Sequence, residues 1–307
     1  MQKNKIKKTV IFSNYECNNN CIFCVDADKR LLPARTFEEM KKEISSAKKS
    51  GSDYLEIIGG EFTIRKDAVE IIKFAKKLKF KNISITTNGR LFSYFDYVEK
   101  FVKAGITDIV FSIHGHNQKL HDSLTMAQGS FRQIIGSLTN LKKLKFKNLG
   151  TNTTIVKQNY KYLPEIGKFI FEQGIKNAEF IFVDPTYGGA KNNFEKMVPK
   201  ISLIAPQIKK CLDIGRINSQ PHWHIRYVPL CFFEKYLDQI SELDEVKKFQ
   251  TEHIAEDFVN RDVEGSRRMI ARVKGPQCKQ CRLNNFCEGI WKEYTKHYGF
   301  NELTPLK

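Results

Sequence analysis

The 307-residue chain is short of acid: 34 Asp and Glu stand against 51 Lys and Arg, for a formal net charge of +17. No uninterrupted apolar run approaches the roughly 20 residues of a membrane-spanning helix. The Lys-rich start lacks the apolar stretch of a signal peptide. These absences argue against a helical membrane span and a secretory leader, and the expected location is cytoplasmic. Internal repeats, low-complexity tracts and flexible linkers are missing as well, so any second unit should pack directly against the first. The shortage of acid raises nucleic acid as a partner, because Lys and Arg that neutralise phosphates release counterions. However, the densest basic clusters, Lys73 to Lys81 and Lys142 to Lys147, close two expected helices, where cations complement the helix macrodipole. A solvated Lys surface is the simpler reading, with RNA kept as an alternative.

What the chain does have is 41% hydrophobic and 12% aromatic residues, enough for a full core, and eight cysteines. In a reducing compartment such thiols serve metal or redox chemistry more than disulfides. Three of them, Cys17, Cys21 and Cys24, lie in Glu-Cys-Asn-Asn-Asn-Cys-Ile-Phe-Cys. Three thiolates on a cubane cluster leave one of its four irons open for chemistry. A zinc knuckle completed by a distant ligand is the competing reading.

Strand-like and helix-like segments alternate from residue 9 to about 216. The expected strands are Thr9 to Ser13, Tyr54 to Ile58, Asn82 to Thr87, Asp108 to Ile113, Leu149 to Val156 and Ala178 to Val183. Amphipathic helices are expected from near Phe37, Lys66, Phe95, Ser130, Leu163 and Phe194. Six β/α repeats imply parallel strands joined by right-handed crossovers. A doubly wound sheet would have the same count. Because functional loops of a parallel barrel follow the strand C-termini, the cysteine loop after the first strand favours an α/β partial (β/α)6 TIM-type barrel over residues 1–216. Residues 217–307 form a smaller cysteine-rich extension, opening on a short strand in Gln220-Pro-His-Trp-His-Ile-Arg-Tyr-Val-Pro229 and continuing through a charged stretch from Phe233 to Gln277.

The cysteine loop, with Phe23 before its last cysteine and a strand before its first, resembles that of the radical S-adenosylmethionine (SAM) superfamily. That resemblance implies a [4Fe-4S] cluster on Cys17, Cys21 and Cys24 whose open iron chelates SAM, and an electron donor such as flavodoxin or ferredoxin. It also implies reductive cleavage to a 5'-deoxyadenosyl radical that takes hydrogen from a substrate. Phe23 would cover the cluster near the adenine. Gly59-Gly60-Glu61-Phe62-Thr63, one β/α unit later, is similar to the family's Gly-Gly-Glu-Pro, which holds the SAM amino group; Phe62 stands for the proline. Paired glycines also permit close backbone approach to a ligand. Asn88 in Thr-Thr-Asn-Gly89, Ser112 at the fourth strand end and Asn152 in the fifth strand resemble further SAM-contacting positions. Relatives with a cluster-bearing tail have His-Asp followed shortly by an Arg that pairs with the SAM carboxylate. Here His121-Asp122-Ser123-Leu124-Thr125 has no such Arg, so another group must serve. His114, His116 and His121 are expected to have loop or capping roles ahead of substrate contact.

In the tail, Cys278-x2-Cys281-x5-Cys287 is a strong metal-binding spacing that matches part of the SPASM/twitch auxiliary-cluster pattern. A fourth cysteine of the full pattern is replaced by Trp291, so one auxiliary centre is expected. Cys231, in a turn, is the favoured fourth ligand. Cys211, within a helix, is expected to be a core thiol, with a fifth-ligand or hydrogen-donor role as alternatives. The centre is read as a second [4Fe-4S] cluster, with zinc as the alternative. The function expected is a radical SAM enzyme acting in peptide modification or small-molecule cofactor biosynthesis. RNA modification and a non-catalytic iron-sulfur or zinc protein compete with it. No peptide-recognition segment precedes the first strand, which weighs against the peptide reading without removing it.

Overall fold

The computed structural model describes residues 5–307. Eight strands, β1 (Ile6–Phe12), β2 (Tyr54–Ile58), β3 (Asn82–Thr87), β4 (Asp108–Ser112), β5 (Leu149–Ile155), β6 (Asn177–Phe182), β7 (His222–Arg226) and β8 (Phe249–Ile254), run parallel in one sheet. A short antiparallel β9 (Val259–Asn260) borders β8, and the order is β7-β6-β5-β4-β3-β2-β1-β8-β9. Period-two alternation sets the layers. In β2, Leu55 and Ile57 are fully buried, while Tyr54, Glu56 and Ile58 alternate with them on the other face. The same alternation puts Ile83 and Ile85 of β3 and Ile109 and Phe111 of β4 in the core.

The crossovers are α1 (Phe37–Lys49), α2 (Ala68–Lys77), α3 (Phe95–Ala104), α4 (Gln118–Thr125), α5 (Ser130–Lys143) and α6 (Leu163–Glu172), then the short α7 (Gly188–Asn192) and α8 (Phe194–Met197), and α9 (Ile201–Ile217). A capping box starts α1: Glu39 N donates to Thr36 Oγ1, and the Glu39 carboxylate accepts from Thr36 N, satisfying amides that would otherwise be orphaned. Its buried stripe is Met40, Ile44 and Ala47, at the helical spacing of a core-facing side.

The sheet does not stop at residue 216. β7 extends it beside β6, and β8 inserts in parallel beside β1, where Thr9 donates to Glu252 at 2.8 Å. β7 and β8 are not paired with each other, so the barrel stays open there. α10 (Ser241–Lys248) packs on both, and Arg226 of β7 holds Glu245 of α10 at 2.6 Å and Glu179 of β6 at 3.2 Å. Beyond it lie α11 (Val263–Ser266), the antiparallel pair β10 (Arg272–Val273) and β11 (Ile290–Trp291), and α12 (Lys292–Tyr298). The tail packs directly on the barrel: Tyr298 Oη donates to the Val198 carbonyl at 2.9 Å, and Ile201 N donates to Tyr294 Oη at 3.0 Å. No helix of the described residues is long and apolar enough to cross a membrane.

Candidate active site and second cysteine site

A cavity of about 360 Å³ opens where β1 to β7 end. Cys17, Cys21 and Cys24 line it from the β1 loop, Gly59 and Gly60 from β2, Thr86, Thr87 and Asn88 from β3, Ser112 and His114 from β4, and Asn152 and Thr154 from β5. Phe23 lines it too, its ring set edge-to-face with that of His114, centroids 4.7 Å apart. The volume suits a nucleoside-sized ligand.

The glycines serve the protein before they serve a ligand. A Cβ on Gly59 would strike the Asn14 carbonyl, and one on Gly60 the carbonyls of Tyr15 and Glu16. The approach lets Gly60 N donate to Asn14 O at 2.7 Å and Glu61 N to Glu16 O at 2.8 Å, tying the β2 end to the cysteine loop. Glu61 and Thr63 do not line the cavity. Both are buried, and the Glu61 carboxyl accepts from Thr63 N (3.0 Å), Thr63 Oγ1 (2.6 Å), Thr87 Oγ1 (2.7 Å) and Asn88 N (2.6 Å). Burial pushes that carboxyl up, against the pull of these four donors. In this structure, then, Glu61 braces the cavity wall from behind.

Burial pushes the Cys17 thiol up to about 11 and Cys21 to about 12. Such thiols stay protonated at neutral pH until a metal displaces the proton, so this donor set fits a cluster. Cations and N–H groups surround the loop. Asn88 Nδ2 reaches Cys17 Sγ at 3.7 Å and Asn18 Oδ1 at 2.6 Å, while Arg30 donates to Asn19 O at 3.0 Å. Arg90 donates to Asn18 O and, at 3.3 Å, to Asn19 Oδ1. Arg30 and Arg90 escaped the sequence reading because neither lies in a motif.

His114 belongs to the cavity wall, a closer place than the loop role expected for it. His121 lies behind it, ring stacked at 5.9 Å, fully buried. Asp122 accepts from Gly129 N, Ser130 Oγ and Phe131 N at 2.7–2.9 Å, so its carboxylate ties down the start of α5. His116 lies outside the lining. Sequence reasoning also missed Asp184 and Tyr227, which line the cavity beyond β6 and β7; for Asp184 the signal was its place just after a strand end.

Cys231, Cys278, Cys281 and Cys287 line one small cavity in the tail, closed by Pro229, Leu230, Leu283, Leu303 and Pro305. Leu230 N and Gly289 N donate to Cys287 Sγ at 3.5 and 3.3 Å. Burial, reinforced by the three neighbouring thiols, pushes Cys231 up to about 11, so this set also fits a metal centre. Cys211 is elsewhere, buried in α9 beside Gly167 of α6 and Trp223. Among the described residues no three or more His, Cys, Asp or Glu converge tightly enough to hold a single metal ion.

A parallel barrel with a thiol-rich cavity at the strand ends defines an enzyme built around a metal-thiolate centre. The chain belongs to the radical SAM superfamily, whose profile matches residues 11–170. Members hold a [4Fe-4S] cluster and SAM. It is similar to a probable GTP 3',8-cyclase of Sulfurisphaera tokodaii, 29% identical over 219 residues that cover 69% of this chain and 66% of the relative. It is also similar to an AdoMet-dependent heme synthase of Methanosarcina barkeri, 29% identical over 58% of this chain and 50% of the relative. The chain thus spans half to about two thirds of these curated relatives. Among solved structures, Streptococcus suis SuiB bound to SAM superposes with a TM-score of 0.67 at 20% identity, over 99% of this chain and 77% of SuiB. Native anSMEcpe with bound AdoMet gives 0.69 at 14%, over 97% and 92%. At these identities the likeness establishes the fold.

Proposed function

We propose that this radical SAM enzyme acts on a peptide or a small amine-bearing molecule, and that residues 217–307 carry a twitch-like extension with one auxiliary iron-sulfur centre. The observation that carries the substrate reading is the charge of the cavity wall: among the described residues Arg30 is its one Lys or Arg, against Asp26 and Asp184. Recognition of a triphosphate relies on several converging cations, so a GTP-like substrate is disfavoured despite the relatives that bear that name. The same wall disfavours RNA.

When bound, the cluster and SAM supply one-electron cleavage to a 5'-deoxyadenosyl radical. Cys17, Cys21 and Cys24 would ligate three irons. Gly59, Gly60, Asn88, Ser112 and Asn152 would face SAM, with Phe23 over it, while Glu61 and Thr63 fix the loops that present these groups. Cys231, Cys278, Cys281 and Cys287 would ligate the auxiliary centre, and its closed apolar shell favours electron transfer over direct substrate binding. An electron donor of the flavodoxin or ferredoxin type would complete the system.

Anaerobic reconstitution tests this. The expectation is about eight irons per chain and 5'-deoxyadenosine formed only with reductant. A Cys17/Cys21/Cys24 triple Ala variant should lose the product. Zinc in the tail would overturn the second cluster; absence of SAM cleavage would overturn the enzymatic reading.

A further inference from the structure

One string of seven residues occurs twice in the chain. Lys-Lys-Leu-Lys-Phe-Lys-Asn fills positions 76–82 and again positions 142–148. The sequence reading took each copy as a basic cluster closing a helix and missed that the two are identical.

The fold gives both copies one conformation. The first leads from the end of α2 into β3, the second from the end of α5 into β5. In each, the third lysine turns left-handed, Lys79 at φ 61° and Lys145 at φ 55°, and its N–H reaches three residues back, to Lys76 O at 2.9 Å and Lys142 O at 3.0 Å. The ends of α1, α3 and α6 carry glycine in that conformation, Gly51, Gly105 and Gly174; a side chain makes it costly. All the lysines of both copies are exposed, while Leu78, Phe80, Leu144 and Phe146 pack inward on the core.

The fold also brings the copies together. Because β3 and β5 flank β4, they stand two strand spacings apart, about 10 Å. Their final asparagines close on the start of β4 from either side: Asn82 Nδ2 donates to Asp108 Oδ2 at 3.3 Å, and Asn148 Nδ2 to the Thr107 carbonyl at 3.0 Å. The α3–β4 link between them offers Gly105 and Thr107, with Ile106 buried. The alkyl stem of Lys76 lies against Gly105, where a Cβ would strike it. Strand starts face away from the cysteine cavity, so these lysines flank the opposite face of the barrel.

Neighbouring groups of the protein do not account for the charge. Lys76, Lys77, Lys142 and Lys143 complete last helical turns, where the macrodipole favours a cation. Lys79, Lys81, Lys145 and Lys147 lie beyond those turns. Among the described residues only Lys81 of the two copies has an ion-pair partner, Asp53 at 2.7 Å. Asp108 is engaged with Thr107 and Asn82.

We propose that the doubled segment is a docking site for an acidic polypeptide, which lies extended across the start of β4 with its carboxylates meeting lysines on both sides. About 10 Å is the space that one extended chain fills with its side chains. Nucleic acid fits less well, because neither copy has an arginine for bidentate phosphate contacts and both phenylalanines face away from any base. A bilayer would find no apolar anchor, since the leucines and phenylalanines turn inward. The site lies across the barrel from the cavity, so this goes beyond the function proposed above and does not rest on it.

The test is fluorescence anisotropy of labelled octaglutamate with the reconstituted full chain. The peptide should bind, and less tightly as salt rises. The triple variant Lys76→Gln, Lys77→Gln, Lys79→Gln should weaken it about tenfold, as should Lys142→Gln, Lys143→Gln, Lys145→Gln, and the two triples combined about a hundredfold. A control with the same loss of charge at exposed positions elsewhere, Lys191→Gln, Lys196→Gln, Lys292→Gln, should stay within about twofold of wild type. No binding of octaglutamate overturns the site. An equal loss in the control also overturns it, by assigning the binding to net charge alone. Tighter binding of duplex RNA or of phosphatidylserine vesicles, lost in the same two triples, overturns the acidic-polypeptide assignment in favour of that partner. SAM cleavage should be unchanged in the combined variant, and a wild-type chain that binds octaglutamate without cleaving SAM counts against the proposed function alone.

Discussion

The backbone N–H of Thr154 donates to Nδ1 of His114 at 3.2 Å, across neighbouring strand ends. An imidazole nitrogen that accepts carries no proton, so the ring proton sits on Nε2. His121 is fixed in the same way, its Nδ1 accepting from His114 N at 3.2 Å. Two neutral histidines thus stand one behind the other at the cavity wall, lowered to about 3 and about 4, chiefly by burial.

This pair makes the fold sensitive to acid. Both folded values lie below the ordinary 6.5, so between these limits the unfolded chain binds more protons. The stabilisation is full above about pH 6.5 and is lost as pH falls towards 4 and then 3. From pH 6.5 to pH 5 each histidine should cost about 2 kcal/mol. Urea midpoints at pH 7 and pH 5 check this: His121→Gln should narrow the gap between the two pH values, and an unchanged gap would refute the assignment.

Glu61 offers a second test. Its four donors are buried with it, so Glu61→Ala orphans them and should destabilise the chain by roughly 3–5 kcal/mol, while Glu61→Gln, which still accepts, should lose less. Thermal melts of the protein before reconstitution measure the difference. A direct contact with SAM as its only role predicts the opposite pattern: little change in melting and a large change in SAM affinity.

Gly60 tests the joint between the two loops. A methyl group there meets the Tyr15 and Glu16 backbone carbonyls, which have no room to move without displacing the cysteine loop. Gly60→Ala should lower iron bound by the N-terminal site and leave the tail site loaded. Iron counts in a Cys287→Ala background isolate the first site. Full loading there would show that the loop tolerates the shift.

The barrel was legible because its signal is local. β2 and β3 match their expected bounds residue for residue, since alternating Leu55 and Ile57, or Ile83 and Ile85, can face only a core. β8 was not legible. Phe249-Gln-Thr-Glu-His-Ile254 reads as a polar segment, and it is a strand because Glu252 finds Thr9 and the free edge of β1. α4 was missed for a similar reason: Gln118 to Thr125 is short and polar, and its buried face is partly His121 and Thr125. At the site, types and positions were legible but orientation was not. Gly-Gly-Glu was found, yet only packing reveals that Glu61 turns away from the cavity. Tyr227 gave no signal, because contacts distant in sequence impose its backbone conformation.

The tail cysteines give the sharpest contrast between two residues of one type. Cys231 shares a cavity with Cys278, Cys281 and Cys287, and it accepts from the Thr304 backbone. Cys211 touches Gly167 across the α6–α9 contact and is fully buried among apolar neighbours. Cys231→Ser should therefore remove or cripple the auxiliary centre, seen as loss of about four irons per chain and of its EPR signal, with melting of the barrel little changed. Cys211→Ser should keep both centres and instead lower stability by about 1–3 kcal/mol, because a more polar hydroxyl is then fully buried with only the Gly167 backbone as a partner. Iron lost from Cys211→Ser and retained in Cys231→Ser would reverse the assignment, and would require α9 to leave the core on metal binding.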